Sequence, residues 1–324
     1  MRILVTGGAG FIGSAYVRRL LTGAEPTLTP DTVTVLDKFT YAGTRGSLDP
    51  VRDDPRLRVV VGDVCDGRLV DATVAGHDLV VHFAAESHVD RSITGAAPFV
   101  TTNVLGTQTL LDAALRHGVA RFVQVSTDEV YGSIDSGSWT ESAPLDPSSP
   151  YSASKAGADL LALAYHRTHG LDVVVTRGAN TYGPWQHPEK VVPLFVTNLL
   201  DGHDLPLYGD GGNVRDWVHV DDHCHGIVLA QQAGRAGGVY HLGGGTELTN
   251  RELTGRLLAA CGAGWERVRP VADRKGHDRR YSLDIGTSRR ELGYAPSVDL
   301  EWGLAGTVDW YRRHRDWWEP LKRR

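Results

Sequence analysis

The chain has 324 residues, a mass of 35.2 kDa and a formal net charge of −5, with 41% hydrophobic and 23% charged residues. That size exceeds the usual single core, so one large domain with a smaller one attached is expected. The slight acidity gives no electrostatic reason to expect nucleic acid or an anionic membrane as partner, which leaves small molecules as the ligand class.

Residues 2–6 form an apolar run that reads as a strand and leads into Gly7-Gly8-Ala9-Gly10-Phe11-Ile12-Gly13, with helical spacing over 11–21. A glycine pattern between strand and helix fits a dinucleotide. Gly7 makes the tight turn, Gly10 lets the backbone approach a pyrophosphate, Gly13 lets helix and sheet pack, and the first helical N–H groups face the anion. Neither a signal peptide nor a membrane span is expected, since no apolar run nears 18 residues.

The next strand, 32–36, ends in Asp37, 24 residues beyond Gly13, where an acid accepts hydrogen bonds from the adenosine ribose. A carboxylate there repels a 2′-phosphate, which favours NAD over NADP, although Lys38 is a cation in the same place. After the strand 57–61, Asp63 reads equally as an adenine contact or as a cap of the strand end. Further strands are expected over 78–83, 121–125 and 172–176, with helices over 99–116 and 153–169. This alternation predicts an α/β fold with a doubly wound parallel sheet. Tyr151 and Lys155, four apart at the start of a helix, share one side of it, so that the ammonium lowers the phenol pKa and the phenol becomes a base.

Beyond residue 176 the pattern loosens into Gly- and Pro-rich segments. The expected division is a dinucleotide-binding domain over 1–178, joined by part of 218–247, and a smaller, mainly ligand-binding α/β region over 179–324. A last helix over 300–317 carries Trp302, Leu304, Val308, Trp310 and Tyr311 among basic residues and is expected to be a packed surface helix. Cys65, Cys224 and Cys261 show no paired spacing and read as free thiols of a cytoplasmic protein. His219 and His223 suggest a metal pair at first sight, but a helix start capped by Asp221 or Asp222 accounts for the composition, and no metal is expected.

The glycine segment together with Tyr151 and Lys155 resembles the extended short-chain dehydrogenase/reductase superfamily. Four further segments, His82-Phe83-Ala84-Ala85-Glu86-Ser87-His88-Val89-Asp90-Arg91, Ser126-Thr127-Asp128-Glu129-Val130-Tyr131-Gly132, Gln186-His187-Pro188-Glu189-Lys190 and Asp273-Arg274-Lys275-Gly276-His277-Asp278, resemble the dTDP-glucose 4,6-dehydratases. The resemblance covers nearly the whole chain and is closest to the versions in bacterial deoxysugar pathways of secondary metabolism. It implies catalytic roles for Thr127, Asp128, Glu129, Tyr151 and Lys155: Glu129 as the base at C5, Asp128 as the acid at the C6 hydroxyl, and Thr127 as hydrogen-bond partner of O4. Neighbouring residues on a regular strand diverge, so the acidic pair must lie where the strand breaks into a loop.

The resemblance also implies NAD on Gly7, Gly10, Phe11, Ile12, Gly13, Asp37, Lys38, Asp63, Val64, Ala84, Tyr151 and Lys155. For the nucleotide sugar it implies Ser87, His88, Thr127, Asn180, Glu189, Lys190, Tyr208, Arg215, Asn250, Arg274 and His277, with the forked donors of Arg215 and Arg274 suited to phosphate. A homodimer through the helices 99–116 and 153–169 is implied as well. One segment departs from the pattern: Arg177-Gly178-Ala179-Asn180-Thr181-Tyr182-Gly183-Pro184 stands where the family has Arg-Cys-Ser-Asn-Asn-Tyr-Gly-Pro. Two other readings share the scaffold: a nucleotide-sugar 4-epimerase, which has no use for the acidic pair, and a non-catalytic NAD-sensing protein.

Overall fold

The computed structural model describes residues 1–322; residues 323 and 324, the end of the expected second region, lie outside it. Six strands come from the first half of the chain: β1 (Arg2–Thr6), β2 (Thr32–Asp37), β3 (Leu57–Val61), β4 (Leu79–His82), β5 (Arg121–Thr127) and β6 (Val173–Gly178). Short strands β7 (Asn180–Tyr182), β8 (Leu205–Tyr208) and β9 (Val214–His219) follow. Then β10 (Gly238–Leu242), β11 (Glu247–Thr249) and β12 (Val268–Val271) complete the set.

Strands β1 to β6 and β10 form one seven-stranded sheet in the order β10-β6-β5-β4-β1-β2-β3, and every neighbouring pair is parallel. A parallel sheet covered on both faces needs apolar residues at successive positions, and alternate side chains serve opposite cores. Ile3, Val5, Val33, Val81, Val123 and Val174 enter one core; Leu4, Leu36, Val80, Phe122, Val173 and Val175 enter the other. The strand order reverses between β1 and β4, so a crevice opens beyond their carboxyl ends, where such folds bind ligands.

Two helices differ from the sequence reading in ways that bear on the site. Helix Pro150–His169 begins three residues before 153, because Ser149 and Ser152 form a reciprocal capping box and Pro150 occupies the first turn. Tyr151 therefore lies one helical turn before Lys155. The helix expected over 99–116 runs Ala97–Phe99, then a π-helical stretch Val100–Leu105, then Gly106–Arg116. The wider turn presents the buried Asn103, whose amide accepts from the Glu86 N–H (2.8 Å) and donates to the Glu86 carbonyl (3.0 Å) and to Ser154 Oγ (2.8 Å). It ties the loop after β4 to helix Pro150–His169.

The smaller lobe has its own core of Tyr182, Phe195, Trp217, Leu253, Leu257, Leu304, Tyr311 and Trp318. Its chain returns to the large sheet through helix Val220–Ala233, which packs Cys224, Ile227 and Val228 into one of the sheet's cores, and through β10. The last predicted helix is two helices, Leu300–Arg313 and Arg315–Lys322, broken at His314. Leu304, Val308, Trp310 and Tyr311 are buried in it, whereas Trp302 is 75% exposed. The cap expected from Asp221 or Asp222 falls instead to His219, whose Nδ1 accepts from the Asp221 N–H (3.2 Å), while Asp222 accepts from Ser297 (2.9 Å) and the Val298 N–H (2.9 Å).

Candidate active site

A cavity of 330 Å³ runs along the carboxyl edge of the sheet and is lined by Gly7, Gly10, Phe11, Ile12, Gly13, Asp37, Lys38, Asp63, Val64 and Ala84, among others. The three glycines meet different constraints. A Cβ on Gly7, whose φ is +69°, would come within 2.5 Å of the Ala84 N, and one on Gly13 would run into the Gly7 carbonyl oxygen. A Cβ on Gly10 would meet one protein atom, the Gly7 carbonyl oxygen, in a tight contact at 3.3 Å, and apart from that atom the protein leaves the face open. The opening lies at the start of helix Phe11–Thr22, where unpaired N–H groups favour an anion. These residues fit a dinucleotide pyrophosphate.

The Asp37 carboxylate is fixed by the N–H groups of Ala9 (2.9 Å) and Phe39 (2.8 Å), and Gly43 packs so closely that a Cβ there would lie 2.7 Å from Oδ1. Burial pushes its pKa up. Asp63 caps the end of β3 by accepting from the Cys65 N–H (2.9 Å) and holds Lys38 in an ion pair (2.6 Å). The cap reading of Asp63 is thus present in the structure, on the cavity wall.

The same cavity continues to Thr127, Asp128, Glu129, Tyr151 and Lys155. Strand β5 ends at Thr127, and Asp128–Tyr131 is a turn of 3-10 helix whose N-cap is Thr127, with Thr127 Oγ1 accepting from the Glu129 N–H (3.3 Å). The acidic pair thus leaves the strand where its alternation stops. Asp128 is 2% exposed, and burial, followed by the neighbouring Glu129 charge, pushes its pKa up to about 8. Glu129 is half-buried; burial raises its pKa too, but Arg215, Lys190 and Arg274 oppose that rise. At neutral pH Asp128 keeps its proton, whereas Glu129 has three cations acting against the effect of burial.

One expectation is corrected here. The Tyr151 phenol lies well above its ordinary pKa, because burial dominates and the charges of Glu129 and Asp128 add to it; the hydrogen bond with Thr127 pulls the other way. The Lys155 ammonium donates to the Val125 carbonyl (2.7 Å). Burial lowers the Lys155 pKa and the nearby Asp159 opposes that shift.

A second cavity, of 220 Å³, opens into the smaller lobe and shares Ser87, Glu129, Asn180, Glu189 and Lys190 with the first. Its wall adds His88, Tyr208, Arg215, Asn250, Arg274 and His277. Every cation here already has a partner. Lys190 donates to the Ser87 carbonyl (2.7 Å), and Arg274 pairs with Asp90 (2.6 Å). Arg215 donates to the carbonyls of Val214 (2.7 Å) and Asp278 (2.9 Å) with its guanidinium 4.1 Å from the centre of the Tyr281 ring. Glu189 faces Arg91 (3.1 Å) and His88 (3.6 Å).

A family model described as GDP-mannose 4,6 dehydratase matches residues 4–307. A dTDP-glucose 4,6-dehydratase of Streptomyces antibioticus is 66% identical over 328 residues, covering 100% of this chain and 96% of its relative. The chain belongs to the dTDP-glucose 4,6-dehydratase family. The DesIV dTDP-glucose 4,6-dehydratase of Streptomyces venezuelae, solved with NAD bound, superposes with a TM-score of 0.98 at 68% identity over 99% of this chain and 100% of that one. A UDP-glucose 4-epimerase of Thermotoga maritima has the same fold at 32% identity, with a TM-score of 0.88 and coverage of 97% and 99%.

In this member of the family the departing segment has a local reason. The His223 ring lies against Gly178, where a Cβ would come 2.5 Å from its Nε2, and Thr181 Oγ1 is 2.7 Å from its Nδ1. The small residue at 178 leaves room for the imidazole. Sequence reasoning did not place His223, Gln186, Asp90 or Tyr281 in the site. Gln186 and Asp90 lie inside quoted motifs, whereas His223 and Tyr281 reach the cavities from elements whose packing no local pattern announces.

Proposed function

We propose that this chain converts dTDP-glucose to dTDP-4-keto-6-deoxyglucose and water, with the acidic pair of residues 128 and 129 performing the elimination. Relatives across nearly the full length are dTDP-glucose 4,6-dehydratases, and several are solved with NAD. The observation that carries the reading is the unequal environment of two adjacent carboxyl groups on one cavity with Tyr151. Such a pair supplies an acid and a base at one pH.

NAD, when bound, supplies an acceptor for the C4 hydride and a donor for the hydride that reaches C6. Burial keeps Tyr151 protonated in the protein alone, so it takes the O4 proton only in its ionised form, which the positive charge of bound NAD would favour; Thr127 holds the O4 oxygen as it becomes a carbonyl. The C5 proton, now α to that carbonyl, goes to Glu129. Asp128 gives its proton to the departing C6 hydroxyl, which leaves as water. Glu129, after exchanging its proton with solvent, returns one to C5, and the proton gained by Tyr151 balances the one lost by Asp128. Arg215, Arg274, Lys190, Asn250 and His277 line the cavity beyond Glu129 and suit the nucleoside diphosphate, with Tyr208 beside His277. In this reading the large sheet with β10 carries the cofactor and the smaller lobe carries the nucleotide.

Exposed apolar side chains Val100, Leu105 and Leu160 on the helical segments 97–116 and 150–169 support a homodimer through those helices. The three free thiols support a cytoplasmic location, and no helix among the described residues is long and apolar enough to cross a membrane. The test uses dTDP-glucose deuterated at C4. The label should appear at C6 of a 4-keto-6-deoxy product; label retained at C4 of an isomerised hexose would indicate an epimerase instead, and unchanged substrate would indicate a non-catalytic protein.

A further inference from the structure

His223 is 1% exposed, lines the cofactor cavity, and takes no part in the mechanism above. Its Nε2 has no hydrogen-bond partner among the described residues, which is costly for a buried polar atom. The neighbouring contacts fix its tautomer. Thr181 Oγ1 lies 3.1 Å from the Ala179 carbonyl, which can only accept, and 2.7 Å from His223 Nδ1. A hydroxyl has one proton, and it goes to the carbonyl, so Nδ1 carries the imidazole proton and donates to Oγ1. Nε2 then carries a lone pair, and burial, which pushes the pKa down to about 4, keeps it free of a proton at neutral pH.

The sheet order says which part of a dinucleotide comes to that lone pair. Asp37 and Asp63, at the ends of β2 and β3, fit the adenosine, and the open face of Gly10 beyond β1 fits the pyrophosphate. Ala84 follows β4, and Lys155 is anchored at β5. A dinucleotide continuing in that direction brings its nicotinamide to the ends of β5 and β6, where Gly178 is paired with Thr127 and carries the His223 ring. The group there that offers N–H donors is the carboxamide.

On the reading that NAD is the cofactor, we infer that His223 Nε2 accepts a hydrogen bond from the carboxamide NH2 and fixes the rotation of the nicotinamide ring. Gly178 keeps the space this imidazole needs, and Thr181 holds its tautomer. Three residues of the departing neighbourhood thereby act as one device.

The test is a competition at equilibrium between NAD and its 3-acetylpyridine analogue, in which a methyl replaces the NH2, with the bound ratio read by mass spectrometry on the released nucleotides. The wild-type protein should prefer NAD by roughly 3- to 10-fold, the worth of one neutral hydrogen bond. His223→Leu should bring the preference close to one, and His223→Gln, which offers an amide oxygen near the same place, should restore most of it. Gly178→Ala, which pushes the ring aside, should lose the preference like His223→Leu. Competition by ADP-ribose should be equal in all four proteins, showing an intact cradle. An undiminished preference for NAD in both His223→Leu and Gly178→Ala would overturn the inference, as would a wild type without preference. Failure of the wild type to bind either NAD or ADP-ribose would instead overturn the cofactor reading on which it rests.

Discussion

The cofactor cradle and the substrate cavity share Glu129 but are made from different materials. The cradle is backbone: a glycine turn, the start of a helix and a carboxylate locked by two N–H groups. Its geometry is set by the sheet and does not have to change for a ligand to enter. The substrate cavity is side chains from five or more separate segments, and its cations are held by Asp90 or by backbone carbonyls. A diphosphate entering there has to displace or share those partners. A rigid site keeps its cofactor through many turnovers; an exchangeable one lets substrate and product pass.

The largest effect should come from the hinge between the two regions. Glu129→Gln leaves the shape of both cavities but removes the base, and kcat should fall by ~10²- to 10⁴-fold. In D2O the product of the wild type should carry deuterium at C5 by NMR, and the residual product of the variant should form no faster than that exchange; unchanged turnover would exclude Glu129 as the base. Asp128 should show itself in the pH profile. Its pKa is raised to about 8, so the proton it donates is present below that value and is lost as pH rises through it. The rate should therefore decline on the alkaline side near pH 8 in the wild type, and Asp128→Asn should remove that limb along with ~10²-fold or more of kcat.

The cradle and the cavity should then separate in their response to small changes. Gly10→Ala meets a single protein atom, the Gly7 carbonyl oxygen at 3.3 Å, so it should disturb thermal unfolding less than Gly13→Ala does while NAD affinity drops about 10-fold or more. Gly13→Ala meets the Gly7 carbonyl and should lower the melting temperature as well, by calorimetry. If both variants behaved alike, the distinction between a ligand-facing and a packing glycine would be lost. The smallest effect belongs to the cavity. Arg274→Ala should raise KM with little change in kcat, whereas Asp90→Asn, which frees Arg274 from a partly exposed ion pair, should lower KM only about 2- to 5-fold at low salt.

The legibility of the sequence follows the same division. Strands β1 to β6 could be placed within one or two residues because both faces of a parallel sheet demand apolar residues, and a local run records that demand. The glycine segment and Asp37 were legible for a related reason: their spacing is fixed by one strand-turn-helix unit. Helix Pro150–His169 starts three residues before the apolar spacing does, because its start is set by the Ser149 cap and Pro150, and the π-helical stretch at 100–105 left no trace in the spacing. Which tryptophans of the last helix pack was not legible either: Trp310 is buried while Trp302 is exposed.

By itself the sequence determined the doubly wound sheet, the dinucleotide turn and the presence of two adjacent acids after β5, since each is written in neighbouring residues. Only the tertiary structure made the two acids unequal, through the depth of Asp128 and the three cations brought to Glu129 from residues 190, 215 and 274. It also decided that Lys155 spends its ammonium on the Val125 carbonyl and that His223 turns toward Gly178. Burial and long-range charge are properties of the folded packing, and no local pattern of residues encodes them.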